Sequence, residues 1–129
     1  MLKKLMNKKY WNNKKILITG HNGFKGMWLS MILKQFNADV FGLSDFSNSS
    51  KLYKKIDGSK FFTKEYQCDI STDQKLLSEI FKNSEFDIIF HFAAQSLVSL
   101  AHKNPKKTLE TNIIGTFNVI NEVNNTQAS

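Results

Sequence analysis

Three observations predict an α/β fold, a doubly wound parallel sheet. Strand-like apolar runs alternate with helix-like stretches from Lys15 onward. The fourth run, Asp87-Ile88-Ile89-Phe90-His91-Phe92-Ala93-Ala94, is apolar almost throughout, as in a strand covered on both faces. The first run stops in Gly20-His21-Asn22-Gly23-Phe24-Lys25-Gly26, and a helix starts from that turn. Strands alternating with helices give a parallel sheet with right-handed crossovers. Four strands in this rhythm fit the spatial order 3-2-1-4, with ligand at the C-terminal strand ends.

Each element has its own signal. Residues 1–13 form a basic lead-in, expected to be loosely ordered, with Tyr10 and Trp11 packing near a sheet edge. Lys15 to Thr19 is short, apolar and rich in β-branched residues, a buried strand. Phe24 to Asn37 reads as a helix whose apolar face, Phe24, Met27, Trp28, Met31, Ile32, Leu33 and Phe36, belongs to the core. Asn37 is its stop. Ala38 to Leu43 is the second strand, followed by a polar loop over 44–50. Leu52 to Ile56 makes one helical turn, and Phe61 to Gln67 the third strand. Ser71 and Gln74 read as a capping box opening a helix that buries Leu76, Leu77, Ile80 and Phe81. After the fourth strand, Asn104 and Pro105 start a further helix, with Leu109, Ile113, Phe117 and Ile120 as its buried face.

The glycine turn is the chemical centre. Gly20 permits the tight turn off the strand, Gly23 lets a pyrophosphate approach the backbone, and Gly26 brings helix and strand together. First-turn N–H groups and the helix dipole favour phosphate there.

Composition excludes other classes. The net charge is +7, yet all 18 basic residues are lysine and most are scattered. Arginine, the commonest reader of bases, is absent, so nucleic acid is not the expected partner. The lone Cys68 allows no intrachain disulfide and is expected to pack in the core. No apolar run has the length of a membrane span, and the N-terminus lacks the pattern of a signal peptide, so a cytoplasmic protein without membrane association is expected. His91 reads as a satisfied core residue and His102 as surface. His21 is balanced between a neighbour of phosphate or substrate and a solvated turn residue. No cluster suits a metal.

Thr19-Gly20-x-x-Gly23-x-x-Gly26, Asp69-Ile70, His91-Phe92-Ala93-Ala94-Gln95 and Thr111-Asn112-x-x-Gly115-Thr116 resemble the extended short-chain dehydrogenase/reductase pattern. Within it, Tyr10-Trp11, the turn form Gly20-His21-Asn22-Gly23-Phe24-Lys25-Gly26 with Trp28-Leu29-Ser30, and Ala93-Ala94-Gln95-x-Leu97-Val98 are similar to the CDP-glucose 4,6-dehydratase family. The resemblance implies a Rossmann-type NAD-binding domain over 14–129, incomplete at its C-terminal end before a fifth strand. It implies a lyase that oxidises a nucleotide-sugar at C4, eliminates water across C5 and C6 and returns hydride to C6, in deoxysugar supply for surface polysaccharide. The full-length form is expected to be a homo-oligomer.

By motif position, Gly20, Asn22, Gly23, Phe24, Lys25 and Gly26 line the pyrophosphate. Asp69 and Ile70 sit at the adenine, and Ala93 and Ala94 flank the second ribose. Gln95 faces the substrate, and Asn112 ties the fourth strand end to its neighbours. Ser44 stands where the family carries the acid for the adenosine ribose, and Asp45, one place on, takes that role, favouring NAD over NADP. Ser96 replaces a common proline. The family's catalytic Tyr-x-x-x-Lys has no counterpart: Tyr10 meets Lys14 only before the first strand. The chain therefore reads as the front half of an enzyme without catalytic residues of its own.

Overall fold

The computed structural model describes residues 7–126. Four parallel strands form one sheet in the order β3-β2-β1-β4. They are β1 (Lys15–Thr19), β2 (Asp39–Ser44), β3 (Lys64–Gln67) and β4 (Ile88–His91). Leu17 of β1 lies opposite Phe41 of β2 and Ile89 of β4. Side chains alternate across β1: Ile16 and Ile18 join one apolar cluster with Met27, Leu33, Val40 and Phe62. Leu17 joins the other, with Leu43, Cys68, Ile70, Leu77, Ile80, Phe81 and Val119. Both faces of β1 are therefore core, and the period-two pattern of a doubly covered parallel strand holds.

The helices follow in sequence. α1 (Lys8–Trp11) gives the lead-in an ordered turn, and Trp11 is buried, its ring 6.4 Å from that of Phe90 on edge strand β4. α2 (Phe24–Gln35) leaves the glycine turn and is capped by Phe36, just before Asn37, which takes the left-handed φ of 57°. α3 (Lys51–Lys55) is capped by Ser50, whose hydroxyl accepts from Tyr53 N. A 3₁₀ turn, Gly58–Phe61, takes the start of the expected third strand. α4 (Gln74–Asn83) follows β3, and α5 (Val98–Lys103), α6 (Pro105–Leu109), a π-helical turn (Glu110–Gly115) and α7 (Thr116–Thr126) follow β4. The cap at Asn104 is as read: its Oδ1 accepts from Lys107 N at 3.1 Å, with Pro105 in the first turn.

Several expectations are corrected. Ser71 does not cap α4. Its hydroxyl and N–H both go to Asp69 Oδ1, at 2.6 and 2.9 Å, and the helix begins at Gln74, whose amide reaches Asn118 instead. Leu76 is exposed. On α2, Met27 and Leu33 are buried, but Phe24, Trp28 and Ile32, spaced by four, form an exposed stripe. Leu109, Ile113, Phe117 and Ile120 are 57%, 59%, 64% and 54% exposed; Gly115, Asn118 and Val119 face inward instead. The physical reason is the position of β4. Its residues look central by composition, yet β4 is an edge of the described sheet, so nothing described lies beyond it for that helical face to cover. β4 also ends at His91: Phe92 N still donates to Thr19 O at 3.0 Å, but β1 turns away at Gly20 and leaves residues 93 and 94 without a ladder.

Candidate functional site

The glycine turn sits at the C-terminal end of β1. Gly20 has a φ of 67°, and a Cβ there would lie 2.7 Å from Ala93 N, so the position needs glycine for both conformation and contact with the end of β4. A Cβ on Gly26 would meet Gly20 O at 2.6 Å and His21 Cα at 2.7 Å, which seats α2 tightly on the turn. Gly23 differs. Its Cβ would meet only Gly20 O, at 3.1 Å, with no other atom beyond its chain neighbours within 4 Å, so that side of the turn is open. Phe24 and Lys25, the first helical residues, are exposed.

Behind the turn the side chains point inward. Asn22 is buried, its Nδ2 donating to Ser49 Oγ at 3.0 Å and its carbonyl accepting from Ser50 N at 2.9 Å. It fastens the turn to the 44–50 loop. His21 is fully buried, which corrects the reading of it as a solvated turn residue. Its ring packs on Gly42, and Nε2 lies 2.7 Å from Glu65 Oε1, which also accepts from Tyr53 Oη at 2.7 Å. Burial holds the imidazole below its ordinary pKa, against the opposing pull of the Leu43 backbone and Glu65.

The ends of β2 and β3 bring two carboxylates to the same edge. Asp45 is exposed and accepts from Ser47 N and Ser47 Oγ at 3.0 and 2.8 Å. Ser44 is buried and turned inward, its Oγ accepting from Phe46 N. Asp69 accepts from Ser71 on one oxygen and from Lys107 Nζ, at 2.6 Å, on the other. Burial works to raise the Asp69 pKa, but the donors from Lys107 and Ser71 outweigh it and hold the carboxyl below the usual range. Ile70 lies in the core against Gly115, and its carbonyl accepts from Asn118 Nδ2 at 2.8 Å. Cys68 is buried as read, its thiol pushed up to about 12 by burial, with Asp73 and Asp69 adding to it.

At the end of β4 a hydrogen-bond relay links three elements. Thr19 Oγ1 accepts from Phe92 N and Ala93 N, each at 3.2 Å, so its proton is free for His91 Nδ1 at 2.7 Å. His91 Nε2–H then donates to Thr116 Oγ1 at 3.0 Å, and Thr116 donates to Asn112 O at 2.8 Å. These partners fix a neutral tautomer, and burial lowers the His91 pKa in agreement. Asn112 lies in the π-helical turn and grips the backbone of Gln95 twice: Oδ1 accepts from Gln95 N at 2.7 Å and Nδ2 donates to Gln95 O at 3.0 Å. Gln95 folds its own side chain back to accept from Leu97 N. Ala94 is exposed beside it.

Thus Gly20, Gly23, Gly26, Asp45, Asp69, Ala93, Ala94, Gln95 and Asn112 gather at the C-terminal strand ends. Asn22 and Ile70 turn their side chains into the protein. Lys107 and Thr19 are partners of site residues that no sequence signal marks. Nothing in sequence separates Lys107 from the other lysines, because its partner lies 38 positions away.

Parallel order 3-2-1-4 with a glycine turn opening a helix at the strand ends defines a Rossmann-type α/β unit. The chain belongs to the GDP-mannose 4,6 dehydratase family, within the extended short-chain dehydrogenases/reductases, whose family model matches residues 17–129. It is similar to CDP-glucose 4,6-dehydratase of Salmonella typhimurium, 34% identical over 122 residues, covering 92% of this chain and 33% of that one. It is also similar to UDP-glucose 4-epimerase of Mycoplasma genitalium, 32% identical over 117 residues, covering 88% of this chain and 33% of that one. Among solved structures, UDP-glucose 4-epimerase from Brucella ovis in complex with NAD superposes with a TM-score of 0.78 at 21% identity, over 90% of this chain and 34% of the other, a likeness of fold. The chain spans about a third of the length of the curated relatives it matches.

Proposed function

We propose that the chain is the cofactor-binding portion of an NAD-dependent sugar-nucleotide 4,6-dehydratase that converts CDP-glucose to its 4-keto-6-deoxy product. One observation carries the reading: the open space at Gly23, in front of the α2 N-terminus, at the switch point between β1 and β4. The residues present fit a dinucleotide. First-turn N–H groups and the helix dipole face a pyrophosphate, with Gly20, Asn22 and Gly26 fixing the shape of the turn and Phe24 and Lys25 flanking it. Asp45 lies 19 residues past Gly26, about the spacing at which an acid takes ribose hydroxyls, and it disfavours a 2′-phosphate. Asp69 and the backbone of Ile70 border the adenine. Ala93 and Ala94, with small side chains, let the second ribose approach the end of β4. Asn112 holds Gln95 towards the sugar.

NAD bound there supplies a reversible hydride acceptor for the sugar. Support for NAD comes from its presence in the Brucella ovis epimerase. Support for dehydration comes from the likeness to the Salmonella typhimurium enzyme. The likeness to the Mycoplasma genitalium epimerase favours a second reading, a sugar-nucleotide 4-epimerase built on the same half.

Calorimetric titration of NAD tests the site. Wild-type chain should bind NAD, and Gly23→Val, which places a branched side chain on the contact surface, should lose binding while keeping its far-UV spectrum. Equal affinity in the variant would remove this turn from the site. Expression together with any coding sequence found past the Ser129 codon tests the reaction. Loss of water from CDP-glucose, leaving a 4-keto product, is expected; inversion of UDP-glucose at C4 would establish the epimerase instead.

A further inference from the structure

One side chain crosses from the helices after β4 to the far side of the crevice. Lys107, on α6, places Nζ 2.6 Å from Asp69 Oδ2 and 3.4 Å from Ser71 Oγ. The other carboxylate oxygen, Oδ1, accepts from Ser71 N and Ser71 Oγ. Three donors from two directions therefore fix both the plane and the rotation of the carboxylate. One acceptor direction on Oδ2 is left over, since each carboxylate oxygen carries two lone pairs. The anchor is itself held: Lys107 N donates to Asn104 Oδ1, and Asp69 N donates to Asp73 Oδ2 at 2.8 Å. The bond to Asp69 chiefly, with the charges of Asp69, Asp45 and Glu110 adding to it, holds the Lys107 ammonium above its ordinary pKa; Glu110 itself pairs with Lys106 at 3.8 Å.

Stability does not explain the arrangement. The two side chains are 41% and 21% exposed, and ion pairs so open to water contribute little to folding. Direction does explain it. An unpaired aspartate at a strand end rotates freely, whereas an acceptor that reads an exocyclic amine has to be pointed before the ligand arrives. Asp69 follows β3, on the β2–β3 side of the crevice where Asp45 marks the adenosine half.

We propose that Lys107 is a positioning residue for the adenosine end of the dinucleotide, orienting the Asp69 carboxylate as an acceptor for the base. This rests on the dinucleotide reading above. It acts through Asp69 and touches no reacting atom.

The test compares ADP, NAD and nicotinamide mononucleotide as calorimetric probes of the full chain. Lys107→Met should weaken ADP and NAD about tenfold, leave nicotinamide mononucleotide unchanged, and leave the melting temperature and binding stoichiometry near wild type. Lys107→Arg, which keeps a donor for Asp69, should recover most of the affinity. Unchanged or tighter ADP binding in Lys107→Met would overturn the proposal, as would equal weakening of all three probes. A wild-type chain that binds neither ADP nor NAD would overturn the dinucleotide reading and this inference with it. Wild-type binding with an indifferent variant would sink the inference alone.

Discussion

His21 and His91 are neutral at pH 7 for the same physical reason: burial disfavours the imidazolium. The consequence for stability has a definite sign. Above about 6.5 both rings are neutral whether the chain is folded or not. As the pH falls below that value, the unfolded chain takes up protons first, because the folded pKa values lie lower, and the native state loses stability. The loss continues until the pH passes the folded values. Asp69 and Asp87, both held below the usual carboxylate range, add their own loss only in more acidic solution. The urea midpoint should therefore fall between about pH 7.5 and about pH 5.5, before the carboxylates titrate. A midpoint constant across that range would mean that neither ring is buried as described.

The π-helical turn Glu110–Gly115 is the element that holds the loop after β4 in place. Phe92 and Ala93 still bond Thr19 of β1, but residues 94–97 lie past the ladder, and the Asn112 amide supplies two hydrogen bonds there, to both backbone polar groups of Gln95. Cutting Asn112 back to alanine leaves that backbone N–H and C=O to find water. The cost expected for two such bonds is about 1–3 kcal/mol, read from chemical denaturation of Asn112→Ala. Amide exchange should rise at residues 93–97 in the variant while β1 stays protected. Exchange unchanged at those residues would show that the loop is held by something else.

At the scale of the molecule, two apolar surfaces stand uncovered among the described residues. One is the Leu109, Ile113, Phe117 and Ile120 face beside edge strand β4; the other is the Phe24, Trp28 and Ile32 stripe on α2. An apolar, uncharged strand edge and a contiguous apolar face both favour association. The 129-residue chain alone is expected to sediment as dimers or larger species, and a cooperatively folding monomer would contradict this. It is also expected to show no turnover of CDP-glucose. Oxidation at C4 needs a base for the hydroxyl proton, and no tyrosine–lysine pair of the required kind exists in these residues. Dehydration by the chain alone would refute that.

The sequence by itself determined the parallel sheet, its order, the glycine turn and the helix start at Asn104, where the signal was local; the Ser50 cap came only with the structure. Glycine spacing, β-branched runs and an Asn-Pro start act on neighbouring residues, so they can be read without the fold. The family motif carried the rest of the crevice, from Asp69 to Asn112. Only the tertiary structure decided which apolar faces were buried, because a helix face is core only if another element lies opposite it. The same residues that read as core at Leu109, Ile113 and Phe117 stand outside for that reason. Tertiary structure also decided the partners of charged and polar side chains. Ser71 left its capping role because the Asp69 carboxylate lay within reach, and His21 turned inward because Glu65, 44 residues away, stands behind Gly42. Lys107 met Asp69 across a crevice that exists only once β3 and the helices after β4 have come together, and no local pattern encodes such a meeting.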